Sequence, residues 1–139
     1  MPFACPECAD PGSLAIAASI ELPSDSRSDE IAVQIVGCAR CGFRAAAVYE
    51  ESRRGSLDAE AVDHAGYRMA GERLDDLSAL IGACSEPGNS GCRCEAHRRL
   101  GQVDDSGRWC GLPETTGSFA MRYSPDDDPS VVAGTGTGD

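Results

Sequence analysis

Seven of the chain's cysteines and one of its histidines fall into two groups whose spacing suits metal chemistry. Cys5-Pro-Glu-Cys8 and Cys38-Ala-Arg-Cys41 are two C-x2-C pairs separated by 29 residues. Two residues between thiols let both sulfurs reach one ion, at about 2.3 Å, and two such pairs complete a tetrahedron around Zn²⁺. Gly42, directly after the second pair, suits a turn whose amides point at the thiolates. The competing chemistry is a pair of separate thioredoxin-like redox motifs, which needs a helix after the active cysteine. Beyond Cys8 and Cys41 the chain is instead strand-like or glycine-containing. Four protein ligands leave no position for water, so this metal is expected to be structural.

The second group is Cys84, Cys92, Cys94 and His97, a C-x7-C-x-C-x2-H pattern. The intervening "SEPGNSG" is rich in turn residues and can fold the chain back on itself. Cys94 and His97 stand at i and i+3, one helical turn apart on one face, so a thiolate and an imidazole can share an ion. The set is expected to bind a second zinc. Two other readings stay open: Cys110 in place of His97 as fourth ligand, and a reactive thiol whose pKa is lowered by Arg93, Arg98 and Arg99. A disulfide is disfavoured in a reducing compartment. Cys110, beside the only Trp, is otherwise expected to be a small buried hydrophobe. His64 has Asp63 beside it but no triad spacing, so it is expected to be structural or exposed. No catalytic residue is assigned, and the chain is not expected to be an enzyme.

The elements that must position these groups are short. Residues 1–54 read as three antiparallel strands. Leu14, Ile16, Ala18, Ile20 and Leu22 alternate as in a half-buried strand, and "PSDSRSD" (23–29) reads as a polar hairpin loop. "EIAVQIV" then places Ile31, Val33 and Ile35 on one face, and "FRAAAVYEE" alternates again. Residues 55–71 read as a connector with a possible helical turn. Leu74, Leu77, Ile81 and Cys84 form one helical stripe that puts Cys84 at a helix end. "SFAMRY" (118–123) reads as a short strand within a helical region spanning 72–123. Residues 124–139, acidic and poor in apolar residues, read as a disordered tail. The expected fold class is a small metal-stabilised α+β protein, a three-stranded zinc ribbon followed by a short helical zinc-binding region.

Composition sets the remaining bounds. With 139 residues, 5% aromatics and abundant Gly, the chain lacks the material for one large core, and small folds of this kind need staples. It has no lysine, twelve arginines and a net charge of -11. Such acidity fits a salt-adapted host, because self-repulsion keeps proteins dispersed, or a GC-rich host as far as the arginine is concerned. It also makes a poor binder of phosphate backbones. No apolar run is long enough to span a membrane. "MPFACPEC" lacks the pattern of a secretory signal, so a cytoplasmic location is expected, where clustered thiols serve as ligands.

The stretch "IELPSDSRSDEIAVQIVGCARCGFRAAAVYEESRRG" resembles the zinc-ribbon module of the archaeal and eukaryotic zinc-finger proteins that bind translation elongation factor 1A. Ile20-Glu21-Leu22-Pro23 and Cys41-Gly42-Phe43-Arg44 occupy the matching places, and the resemblance covers roughly the first 54 residues. It implies a ribbon fold. The functional expectation is a zinc-binding adaptor with a protein partner, to which Arg53 and Arg54 could contribute. The alternatives are a nucleic-acid-binding ribbon, disfavoured by charge, and a thiol-dependent enzyme or redox protein.

Overall fold

The computed structural model describes residues 2–52 and 61–122. Arg53 and Arg54, residues 55–60 of the connector, Tyr123 and the tail from residue 124 lie outside the described residues. The three expected N-terminal strands are β1 (Leu14–Leu22), β2 (Glu30–Cys38) and β3 (Arg44–Ser52). β4 (Ala61–Arg68) and β5 (Gly117–Ala120) continue the same sheet in the order β1-β2-β3-β4-β5, with every pair antiparallel. Two short helices, α1 (Gly71–Gly82) and α2 (Glu95–Leu100), stand between β4 and β5.

Two of these elements correct the sequence reading. β4 occupies part of the stretch expected to be a connector with a helical turn. "AVDHAGYR" has weak β propensity by itself, but its pairing with β3 sets His64 against Tyr49 and Ala65 against Val48. The second correction concerns β1. The even-numbered apolar residues do not share one face, because the register with β2 slips between Ile16 and Ala18. An extra residue in one strand moves everything beyond it to the other face. Leu14 therefore packs with Phe3, Val36, Ala45, Ala47 and Met121, whereas Ile20 and Leu22 pack with Ile31, Val33 and Ile35 on the opposite side.

The sheet thus has a core on each face. The Ile20 face is covered by the apolar stripe of α1, namely Leu74, Leu77 and Ile81, and by Ala96 and Leu100 of α2. The Leu14 face is covered by the N-terminal segment. Phe3 bridges to Leu14, and the Ala4 amide donates to the Arg122 carbonyl at 2.7 Å, so this segment links β1 to the chain just past β5. His64 lies half-buried on that face. Its Nε2 is 2.8 Å from Gln34 Oε1, its ring meets Phe3 and Tyr49 edge-on, and burial pushes its pKa down.

The loop between β1 and β2, expected to be a solvated turn, is an anchor. The Asp25 carboxylate is fully buried and accepts from the amides of Ser28 (2.6 Å), Arg27 (2.9 Å) and Trp109 (2.6 Å). It also accepts from Arg108 Nη1 at 2.6 Å, while Arg108 Nη2 reaches Glu50 of β3 at 2.8 Å. This ties the segment after α2 to the hairpin. That segment wraps α2 closely: Trp109 Nε1 donates to the Leu100 carbonyl, and a Cβ at Gly111 would overlap the same carbonyl. Burial alone raises the Asp25 pKa, but the amides of Ser28, Trp109 and Arg27 and the Arg108 guanidinium outweigh it and hold the carboxyl well below the usual range. A depressed folded-state pKa means that the stabilisation is present above the unfolded value, about 3.9, and is lost only as pH falls through the folded value. Asp25→Ala leaves Arg108 short of its buried partner and is expected to destabilise by about 3 kcal/mol at neutral pH. Arg27→Ala, which removes an exposed 3.9 Å pair with Asp63, is expected to change stability by less than about 0.5 kcal/mol. Denaturant unfolding of the two variants measures this, and equal losses would contradict the anchor.

Candidate metal centres

The first cluster forms where two tight turns meet at one end of the β1–β2 hairpin. In each turn the residue after the second cysteine takes a left-handed conformation, Ala9 at φ 64° and Gly42 at φ 79°. In each, that residue's amide donates back to the first cysteine's carbonyl, Ala9 to Cys5 at 3.0 Å and Gly42 to Cys38 at 3.1 Å. The turns aim amides at sulfur. Glu7 N–H lies 3.4 Å from Cys5 Sγ, and the amides of Arg40 and Cys41 lie 3.3 and 3.4 Å from Cys38 Sγ. Ser13, which no motif marked, adds its hydroxyl at 3.0 Å from Cys38 Sγ. Cys5 and Cys38 are buried in the Leu14-face core, and Cys8 and Cys41 face outward.

The sulfurs are spaced for an ion rather than for a bond. Cys5 Sγ to Cys41 Sγ and Cys8 Sγ to Cys38 Sγ are both 3.7 Å. A disulfide needs about 2.05 Å, whereas the edge of a tetrahedron with Zn–S bonds of about 2.3 Å is about 3.8 Å. All four donor atoms lie within 4.8 Å of one another.

The second cluster gathers Cys84, Cys92, Cys94 and His97, again with every donor atom within 4.8 Å of the others. Cys84 lies just past α1 at the end of its buried stripe. Cys94 caps the N-terminus of α2, its sulfur accepting from the His97 amide at 3.4 Å. The buried His97 ring points Nδ1 at Cys94 Sγ (3.2 Å) and Cys84 Sγ (3.5 Å), and Cys84 and Cys92 are 3.9 Å apart. Nε2 lies 2.9 Å from the Glu21 carbonyl of β1. A carbonyl can only accept, so Nε2 carries the proton and Nδ1 keeps its lone pair for a metal. Such an outer hydrogen bond fixes tautomer and ring orientation in metal-binding histidines. The Glu21 amide donates to Pro87 at 2.7 Å, so one residue on the edge of the sheet holds both the turn loop and the imidazole. Sequence spacing carries no signal for Glu21, because its contribution is made by backbone.

The thiols share deprotonation unevenly. Cys38 is pushed down to about 6, chiefly by the Ser13 hydroxyl, with the Cys41 and Arg40 amides adding to it. At Cys41 the Phe43 amide acts downward, but burial and the three neighbouring thiols outweigh it and push the pKa up to about 12. Cys94 is pushed down to about 6 by the His97 side chain and amide, while burial lifts Cys84 to about 11. Each cluster therefore has one thiol readily ionised at neutral pH and one that needs a cation nearby to lose its proton.

The two clusters thus have ligand geometry that fits two Zn²⁺ ions, one on each face of the sheet. Compared with family models, curated proteins and solved structures, the chain matches none. Its zinc-finger-like character rests on its own donor geometry, within a small α+β fold whose sheet begins at the N-terminus. Cys110 stands apart from both clusters and is exposed rather than buried beside Trp109. Its amide pairs with Gln102 across a tight reversal closed by Gly107 (φ 80°), which leaves the thiol facing out.

This geometry sets two expectations. Elemental analysis is expected to give two zinc per wild-type chain, one in Cys84→Ser, Cys94→Ser and His97→Ala, and two in Cys110→Ser. Loss of zinc in Cys110→Ser with retention in His97→Ala would move the fourth ligand. Because ligation requires ionised thiols, protons compete with the metal, and occupancy at a fixed zinc concentration is expected to fall as pH is lowered. The second expectation concerns the turns. A Cβ at Gly42 meets nothing, so Gly42→Ala is expected to lose about 1 kcal/mol through its left-handed backbone alone, and Ala9→Gly is expected to gain a few tenths. Thermal unfolding of the zinc-loaded variants checks both, and opposite signs would refute the paired-turn geometry.

Proposed function

We propose that this chain is an interaction module whose two zinc ions are structural and whose partner is a protein. One observation carries the reading: each cluster supplies four donors and is built into a core, so neither leaves a coordination position for a substrate or an activated water. His64, the histidine outside the clusters, is bonded to Gln34 and flanked by the rings of Phe3 and Tyr49. The resemblance of the first 54 residues to ribbons that bind an elongation factor also favours a protein partner.

Charge argues against nucleic acid. Residues 1–54 hold eight acids and five arginines, and a Cys₄ site with Zn²⁺ adds about two negative charges. Arg40, Arg44, Arg68 and Arg108 are each paired with a carboxylate, which lowers the positive charge available to phosphates. Among the described residues no helix is long and apolar enough to cross a membrane. A cytoplasmic setting, where seven ligand thiols stay reduced, suits this role.

The zinc-loaded chain is expected to give no mobility shift with duplex DNA or RNA even at low ionic strength. A salt-dependent shift would favour the nucleic-acid reading. Mapping with a thiol reagent is expected to modify Cys110 first and the seven cluster cysteines only after chelation. Rapid modification of a cluster cysteine in loaded protein would favour thiol chemistry instead.

A further inference from the structure

The four sulfurs of the first cluster are not equivalent. Cys5 and Cys38 are buried, whereas Cys8 and Cys41 are exposed. Each exposed sulfur stands 3.7 Å from a buried one on the opposite turn, Cys8 from Cys38 and Cys41 from Cys5. Cys38 is the better supplied with donors of the two buried sulfurs. It accepts from the amides of Arg40 at 3.3 Å and Cys41 at 3.4 Å, and the Ser13 hydroxyl lies 3.0 Å away. Cys5 receives the Glu7 amide at 3.4 Å. The second cluster lacks this division. There Cys84 is buried, Cys92 and Cys94 are half-buried, and the fourth donor is a buried imidazole that cannot enter a disulfide. Susceptibility of cysteine to oxidation follows thiolate character, exposure and a resolving thiol nearby, so an oxidant meets two different sites.

We propose that the first cluster is a peroxide-sensitive modification site, in which Cys8 is oxidised, Cys38 resolves it across the two turns, and zinc leaves as the disulfide forms. The inference rests on the reading of that zinc as structural and held by four thiolates. Hydrogen peroxide transfers one oxygen to the exposed Cys8 thiolate, giving a sulfenic acid and releasing hydroxide. The Cys38 thiolate, held ready by its three donors, attacks the Cys8 sulfur and expels a second hydroxide. Two electrons pass from the two sulfurs to one peroxide, and two protons turn both hydroxides into water. Only Cys5 and Cys41 then remain as ligands, too few to retain Zn²⁺. The new bond joins residues 8 and 38, so it ties the N-terminal turn to the β2–β3 turn in place of the metal. Zn²⁺ takes charge from its ligand sulfurs and slows the first step, so Cys110 remains the first thiol to react. A thiol reductant and fresh Zn²⁺ reset the site.

The experiment treats the full zinc-loaded chain carrying Cys110→Ser with hydrogen peroxide. A metallochromic indicator follows zinc release, and non-reducing peptide mapping after alkylation locates the disulfides. If that variant holds fewer than two zinc, wild type with Cys110 capped by iodoacetamide takes its place. One zinc is expected to leave about tenfold faster than the other, in step with a Cys8–Cys38 disulfide and with Cys84, Cys92 and Cys94 still unoxidised. Dithiothreitol with added Zn²⁺ is expected to restore both ions. Equal release rates, first oxidation at the Cys84 cluster, or first disulfides within one turn (Cys5–Cys8 or Cys38–Cys41) would overturn the proposal. So would sulfinic acid formed without a disulfide, or a zinc loss that the reductant does not reverse. Fewer than two zinc in untreated wild type would instead overturn the structural-zinc reading, and this inference with it.

Discussion

Four sulfurs gathered with 3.7 Å contacts cannot all be ionised unless a cation sits among them. That constraint governs the molecule. Like charges at such separations repel strongly, so that with the Ser13 hydroxyl holding the Cys38 pKa down to about 6, burial and the neighbouring thiols push that of Cys41 up to about 12. A dication reverses the sign of the interaction and turns a repulsive cluster into a joint. Each joint closes a different part of the fold. The first holds the N-terminal turn against the β2–β3 turn. The second holds the end of α1, the turn loop and the start of α2 together, and passes through the His97 ring to the edge of β1.

This arrangement suits a chain with few large side chains. The sheet faces are lined largely by Ala, Val and Ile, and no aromatic residue belongs to the buried Ile20-face cluster. Cores of that size supply little stability alone, and metal binding makes up the difference. The Asp25–Arg108–Glu50 network adds a third tie, made of charge rather than metal, between the hairpin and the segment after α2.

The parts legible in sequence are those where a local rule sufficed. C-x2-C spacing and the helical stripe ending at Cys84 depend on a few neighbouring residues, and both clusters assemble from the residues that spacing singled out. The features that escaped depend on partners remote in sequence. The slip at Ile16 is invisible to periodicity because the residues around it, Ala15, Ala17 and Ala18, are small enough for either face. β4 is a strand because β3 offers it an edge, not because its own residues demand it. Asp25 looks like any turn acid until Arg108 and the Trp109 amide, more than eighty residues later, are brought to it. Glu21 acts through its backbone, which sequence does not distinguish from any other.

The central claim is that zinc holds this fold together, and the direct measurement is metal removal followed by stepwise return. Heteronuclear NMR of the full chain after chelation, with metal loss confirmed by elemental analysis, is predicted to show collapsed amide dispersion. Binding free energies of about 10–16 kcal/mol at structural zinc sites exceed the stability these two small cores can supply. Two equivalents of Zn²⁺ are predicted to restore the dispersed spectrum, with the strand amides of β1 returning fully only at the second. A well-dispersed spectrum from metal-free, reduced protein would contradict the account.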